Sequence, residues 1–292
     1  MFVANRCFKV HQFTVLSLLV LVFMGVGLYM KSRMILNEHS LWDLLTNADW
    51  KPLSEEFGFL PFIIGTLAVT ALSILIALPI SLLSAIYLSE YAHSWTKRVI
   101  FPVLDILAGI PSVVFGVWGT LIIVPWIADK LGPHFVEYTS GYTVLASGIV
   151  LGVMILPILV SLFIEIFTIV PQDYRDAAAS LGATKWQIST KVILRKSMPG
   201  IIAAVVLAIS KAFGETIAVL MVCGNYAEIP HSLFDPCYPL PALIANNYGE
   251  MLSLPLYESA LMFAAFILFF IILVFNLASR MMLQHVEKKF KL

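Results

Sequence analysis

Residues 171–200 read PQDYRDAAASLGATKWQISTKVILRKSMPG. This polar stretch stands between two long apolar runs, in a chain whose other inside segments are short. Asp173 or Asp176 can start a helix, Ala177 to Ala179 are strong helix formers, and Gly182 suits the turn where a helix ends. A second helix is expected from Thr184 to about Lys196. From composition alone the hairpin is either a solvated connection between two spans or a surface offered to a partner.

Outside this stretch the chain is dominated by apolar residues. Of 292 residues 60% are hydrophobic and 12% charged, against roughly 45–50% and about 25% in soluble domains. Those proportions exclude an ordinary water-soluble globule. Lys and Arg total 18 and balance 18 Asp and Glu, so the basic excess that follows a phosphate backbone is missing and nucleic acid is excluded as a partner.

A helix crossing about 30 Å of hydrocarbon needs roughly 20 mostly apolar residues. Six runs meet that need, near 13–30, 61–88, 99–127, 143–169, 200–223 and 259–280. The expected fold is therefore an all-α membrane protein with six transmembrane helices. The second, third and fourth runs carry Pro79, Pro111 with Pro125, and Pro157, where a helix can tilt or break. With the N-terminus inside, only Lys31, Arg33, Lys51 and Lys130 face outward and Lys211 lies within a span, while every other Lys and Arg is cytoplasmic. That asymmetry places both termini in the cytoplasm.

The outward segments 31–58 and 224–258 are rich in Pro, Trp, Tyr and acids and read as ordered loops with short interfacial helices. Trp42, Trp50, Trp126, Tyr142 and Tyr257 suit interfacial anchors. The division expected is 1–58 as an N-terminal span and outer loop, 59–285 as the transmembrane domain holding the 171–199 loop, and 286–292 as a cytoplasmic tail.

Chemistry-bearing motifs are sparse. Cys7, Cys223 and Cys237 are read as free thiols, and His11, His39, His93, His134, His231 and His285 show no metal-ligand spacing. No GxxxxGK[ST] loop is present to cradle a nucleotide, and no GxSxG setting or paired intramembrane aspartates support an enzyme inside the bilayer. Lys211 lies near mid-bilayer, a placement that costs about 2.5–3.5 kcal/mol. Glu215 follows four residues later, one helical turn on, so the two are expected to pair. They either lock two helices together or line a path for an anion, and the second reading is preferred. Asp105 and Glu165 are expected near span ends within reach of Arg98 or Arg175, in structural roles. Pro111-Ser112 is a break in the third span that either faces such a path or is a packing kink.

The 171–199 loop resembles the "EAA" loop of permease subunits in bacterial ABC importers, a Glu-Ala-Ala followed after three residues by Gly. Asp176, Ala177, Ala178 and Gly182 match, with Asp for the usual Glu, and Leu194-Arg195 stands where that family has Leu-Pro. The resemblance implies a type I importer permease fold in which Arg175, Asp176, Ala177, Ala178, Leu181, Gly182, Ala183 and Thr184 dock on a cytoplasmic ATPase, with Leu181 as the apolar knob.

Other segments resemble the permeases of the phosphate importer: FGFLPFIIGTL at 57–67, LAGIPSVVFG at 107–116, Gly214-Glu215-Thr216 and Gly224-Asn225. Trp50-Lys51-Pro52, the IANNYGE run at 244–250 and Asn276 favour the PstC-type subunit over its PstA-type sibling. A permease for sulfate, molybdate or tungstate is the other alternative. Lys211 stands where phosphate permeases usually have Arg. The resemblance implies a multi-pass subunit of the bacterial inner membrane, without cofactor or metal. Its implied partners are a homologous second permease, two cytoplasmic ATPase subunits and an extracytoplasmic phosphate-binding protein. Lys211, Glu215 and Thr216 would line the substrate path.

Overall fold

The computed structural model describes residues 2–249 and 254–290, and within them the side chains of all but 2–15, 17, 282 and 285–290. Cys7, His11, Glu250 and the basic C-terminal residues therefore lie outside the described side chains. The chain is almost wholly helical, as apolar runs in lipid must be, because each backbone group then finds its partner within the same segment.

Helix α1 spans Phe2–Lys31, and short helices α2 (Arg33–Glu38) and α3 (Leu41–Thr46) follow. A two-residue hairpin, β1 (Trp50–Lys51) with β2 (Glu56–Phe57), then places Trp50 opposite Phe57 and Lys51 opposite Glu56. Next come α4 (Leu60–Tyr91), α5 (Ser94–Gly109), α6 (Ser112–His134) and α7 (Val144–Ile169). The polar hairpin supplies α8 (Gln172–Ser180) and α9 (Lys185–Lys196). The chain ends with α10 (Met198–Gly214), α11 (Ile217–Leu220), α12 (Leu240–Asn247) and α13 (Pro255–Phe290).

Among the described residues, α4, α6, α7 and the Pro255–Met281 part of α13 are each long and apolar enough to cross a membrane. A fifth span arises if α9 and α10, bent by 69° about Ser197, are taken together. The described apolar part of α1 is Leu18–Lys31.

Two of the six runs are not single rods, one of them at the break expected at Pro111-Ser112. The run at 99–127 is divided: Ile110 and Pro111 are both extended, so α5 stops at Gly109 and the apolar helix starts at Ser112. The proline ring drives its predecessor out of the helical region, which makes Pro111 a boundary and not a mid-span kink. Pro79 and Pro157, by contrast, ride inside unbroken helices. The run at 200–223 breaks after Gly214.

The core is the pairing of α4 with α7. Small residues on α4 (Ser73, Ala77, Ser81, Ala85) and on α7 (Ala146, Ser147, Gly148, Gly152) are buried where the two helices approach. In lipid such stripes replace the hydrophobic drive with close van der Waals contact. A Cβ on Gly148 would lie 2.5 Å from Leu72 Cδ2. Gly148→Val is therefore expected to cost about 1–3 kcal/mol through overpacking and to lower the thermal midpoint of the detergent-solubilised protein. An unchanged midpoint would mean the two helices separate freely.

The outer segments are folded onto this core. Ser259 Oγ accepts from Ile35 N at 3.1 Å and donates to Lys31 O at 3.0 Å, tying α1 and α2 to α13. Trp50, expected as an interfacial anchor, instead centres an aromatic cluster, with ring centroids 5.5, 5.3 and 4.9 Å from those of Phe57, Phe59 and Phe62. On the other outer segment, Leu240 N at the start of α12 donates to the buried Thr66 Oγ1 of α4 at 2.9 Å.

Candidate functional site

The polar hairpin folds as its residues predict, with one shift. Helix α8 starts after Pro171, so Asp173 sits in its first turn, where the helix dipole favours a carboxylate. Asp176 lies further in and accepts from Gln172 Nε2 at 3.1 Å. The helix ends in the left-handed Gly182 (φ 81°), whose N–H donates to Ala179 O at 2.9 Å, while Ala183 N–H donates to Ala178 O at 3.1 Å. Thr184 then caps α9: its hydroxyl accepts from Gln187 N–H, and Gln187 Oε1 accepts from Thr184 N–H at 2.9 Å. A π-helical turn over Ile188–Ile193 interrupts α9 before the bend at Ser197, which is buried and whose hydroxyl has no hydrogen-bond partner.

One residue fixes this hairpin to the membrane helices. The Arg175 guanidinium forks onto Glu90 at the end of α4, with Nη2 at 2.9 Å from Oε1 and Nε at 3.3 Å from Oε2. It also donates to Val170 O at 2.6 Å and to Phe167 O at 3.0 Å, carbonyls at the C-terminal end of α7, where helical partners run out. Both side chains of the pair are only 15% exposed. Arg175 is thus an anchor from inside the loop and not a contact surface. Glu90 was not legible from the loop, because 85 residues separate it from Arg175. Lys196 Nζ lies 4.9 Å above the Tyr174 ring and clips α9 to α8.

The opposite face of the hairpin is bare. Leu181 is 89% exposed and Trp186 56%, and α8 buries none of its own residues. Among the described residues, nothing covers these two large apolar side chains held out on an anchored turn.

The second place of interest is the break in the fifth apolar run. Lys211 lies 13 residues into α10, roughly 20 Å along its axis at 1.5 Å per residue. Helix α10 ends at Gly214, and Glu215 is extended (φ −76°, ψ 127°). The expected helical register of Lys211 with Glu215 is therefore lost, and no ion pair joins them. Lys211 is exposed, in line with the exposed Ala203, Leu207 and Gly214, while Ala204, Ala208 and Ala212 are buried. Thr216 Oγ1 donates to Gly214 O at 3.3 Å inside the break. Helix α11 rests on α6, where Thr120 Oγ1 donates to Met221 O at 3.1 Å. Ser210 Oγ donates to Asn276 Oδ1 at 3.0 Å and joins α10 to α13.

Residues 77–292 match the family of binding-protein-dependent transport system inner membrane components. The chain belongs to that family. It is an inner-membrane permease subunit, and not an enzyme. The permease is 35% identical over 262 residues to the phosphate transport system permease protein PstC of Pasteurella multocida, covering 85% of this chain and 81% of that one. It is 38% identical over 272 residues to the probable ABC transporter permease protein YqgH of Bacillus subtilis, covering 90% and 85%. Its fold is that of a chain in a bacterial alginate ABC transporter, with TM-score 0.61 and 15% identity over 97% of this chain and 96% of that chain. The MetNI methionine ABC transporter gives TM-score 0.56 at 17% identity over 82% and 99%.

In a permease the remaining intramembrane charges need a dry partner or water. Asp105 of α5 and Glu165 of α7 line one cavity of about 270 Å³ with Phe101, Leu104, Ser161 and Ile164. Neither has the arginine neighbour expected, since Arg175 is taken by Glu90. Among the described residues, no group of three His, Cys, Asp or Glu side chains comes together to hold a metal ion.

Proposed function

We propose that this permease is one of two homologous membrane subunits through which ATP-driven transport carries inorganic phosphate into the cell. The observation that carries the reading is the hairpin: an apolar tip, Leu181 with Trp186, held out on a base that Arg175 and Glu90 lock to α4 and α7. A partner that moves the tip moves the spans. The chain has no nucleotide-cradling loop, so a pair of cytoplasmic ATPases supplies the force, with Asp176 to Thr184 as the docking residues and Arg175 as their anchor. Leu181→Asp is expected to leave the melting of the permease unchanged, because the side chain packs on nothing, and to abolish co-purification of the ATPase. Retained ATPase at wild-type stoichiometry would remove the docking assignment.

Six spans with both termini inside follow if α1 crosses and if α10 with α11 counts as one broken span. The broken span is then the substrate path, with Lys211, Glu215 and Thr216 around the interruption. Non-helical backbone at membrane depth persists only where protein or a water-filled cavity satisfies it. Segments 31–58 and 224–258 face outward, toward a phosphate-binding protein that delivers the ion. Residues 1–58 form the N-terminal unit, 59–285 the transport domain and 286–292 a tail.

Phosphate as substrate is supported by the relatives named for phosphate transport. Import of another tetrahedral oxyanion has one observation in its favour: Lys211 offers a point charge where an arginine fork would select phosphate oxygens in pairs. Radiolabelled phosphate uptake by cells carrying the complete system, with sulfate and molybdate as competitors, separates the two. Uptake that disappears with this subunit and ignores both competitors is expected; competition by either reassigns the substrate.

A further inference from the structure

Cys223 and Cys237 stand at the two ends of an outer loop, and the fold brings them together. Cys237 N–H donates to Cys223 O at 2.8 Å, and Gly224 pairs with Cys237 in a parallel bridge. Both residues are fully buried, and their side chains interact with each other. Cys223 Sγ also donates to Asn225 Oδ1 at 3.1 Å, and Asn225 holds a left-handed conformation (φ 54°) while its Nδ2 donates to Leu220 O at 3.0 Å. That backbone hydrogen bond holds the two residues side by side, and a disulfide needs a Cα separation of roughly 4.4–6.8 Å with Cβ atoms that face each other.

We propose that Cys223 and Cys237 close an intrachain disulfide in the assembled permease, so that residues 224–236 form a covalently closed loop. The bond adds a covalent link between two segments that the Cys237 N–H to Cys223 O hydrogen bond already joins. Cys223 follows α11, the short helix beyond the break in the fifth run, whereas Cys237 precedes α12, which Thr66 of α4 holds by its first N–H. The end of the broken span is thereby tethered to the α4 side of the core.

The chemistry is thiol–disulfide exchange with an external disulfide as oxidant. One thiol loses its proton and attacks a sulfur of that disulfide, expelling a thiolate and forming a mixed disulfide. The second then loses its proton and displaces the remaining half. Two protons and two electrons leave the pair, and the oxidant becomes two thiols. A cavity of about 330 Å³ is lined by the chain neighbours of both cysteines, Gly224 and Pro236, with Tyr142, Met221 and Asn225; the buried thiols meet the oxidant before this loop has closed over them. The proposal rests on the outward orientation of 224–258 given above, since the outer compartment is the oxidising one.

The test uses the complete complex, isolated from membranes without reductant and denatured in excess maleimide before digestion and mass spectrometry. The peptides holding Cys223 and Cys237 are expected as one linked species that reductant separates. Reductant is also expected to lower the thermal midpoint of the wild-type complex by several degrees and to leave C223S/C237S unmoved. Recovery of both peptides as maleimide adducts, or of either linked to Cys7, overturns the disulfide. Tyr226, 54% exposed in the same loop, separates this failure from a wrong orientation. Tyr226→Cys, in a chain with its native cysteines replaced by serine, is treated in intact cells with a membrane-impermeant maleimide. Labelling with free native thiols rejects the disulfide alone; no labelling rejects the orientation beneath it.

Discussion

Arg175→Ala is expected to uncouple the permease: the partner ATPases continue to hydrolyse ATP while uptake falls at least tenfold. The guanidinium makes four hydrogen bonds, two to Glu90 and one each to Phe167 O and Val170 O. Alanine removes all four and leaves the Glu90 carboxylate, 15% exposed, facing the gap. Removing one partner of a buried pair costs about 3–5 kcal/mol, and residual contact with water puts this pair at the lower end, about 3 kcal/mol. The cost falls where α8 meets α4 and α7, so the hairpin loosens at its base while its exposed tip keeps its shape. A docked ATPase then pushes on an element that no longer pushes on the spans. Arg175→Lys recovers little, because one ammonium cannot serve a carboxylate and two carbonyls in the same fork. Glu90→Gln with Arg175→Met is expected to lose less stability than the two single changes added together, as residues sharing one network do. The measurements are thermal midpoint and the ratio of ATP hydrolysed to phosphate taken up. Arg175→Ala with a wild-type ratio would reduce the pair to an ornament of packing.

The parts of this molecule that local chemistry governs were readable in its sequence. The turn at Gly182 and the Thr184 cap need only the residues at those positions, and the structure forms both. Long apolar runs became helices for the same reason. What escaped was set by distance or by competition between local rules. Glu90 finds Arg175 only after α4 and α7 have packed side by side, and no pattern within either segment announces it. The break at Pro111 did not escape, because a proline excludes its neighbour from the helix whatever the hydropathy. In the fifth run, Gly214-Glu215-Thr216 sits between apolar residues on both sides, so a hydropathy reading passes through it. The helical register between Lys211 and Glu215 failed with that reading. An i, i+4 pair exists only while the helix does.

The loss of that pair changes what is expected of Lys211→Gln. Were Glu215 held against the ammonium, the site would be nearly neutral and the amide would remove little net charge. Lys211 instead stands exposed on α10 without a carboxylate partner, in the turn before the helix opens. In the proposed arrangement an unpaired cation at that depth cannot face lipid at tolerable cost, so it faces water or a partner chain. A unit negative charge passing 4 Å from it gains about 4 kcal/mol at an effective dielectric constant of 20. If the ion realises even half of that on its way through, the amide slows transport by about thirtyfold, since 1.36 kcal/mol is tenfold in rate. Uptake by Lys211→Gln is therefore expected to fall by one to two orders of magnitude, with the second permease and ATPases still co-purifying. Lys211→Arg keeps the charge and is expected to retain most of the rate, with selectivity moved further toward phosphate by the restored fork. The break itself supplies the reason for the position. A helix that ends at Gly214 presents its last carbonyls, partial negative charges, toward the interruption. Without a cation one turn earlier, an anion arriving there would meet only repulsion.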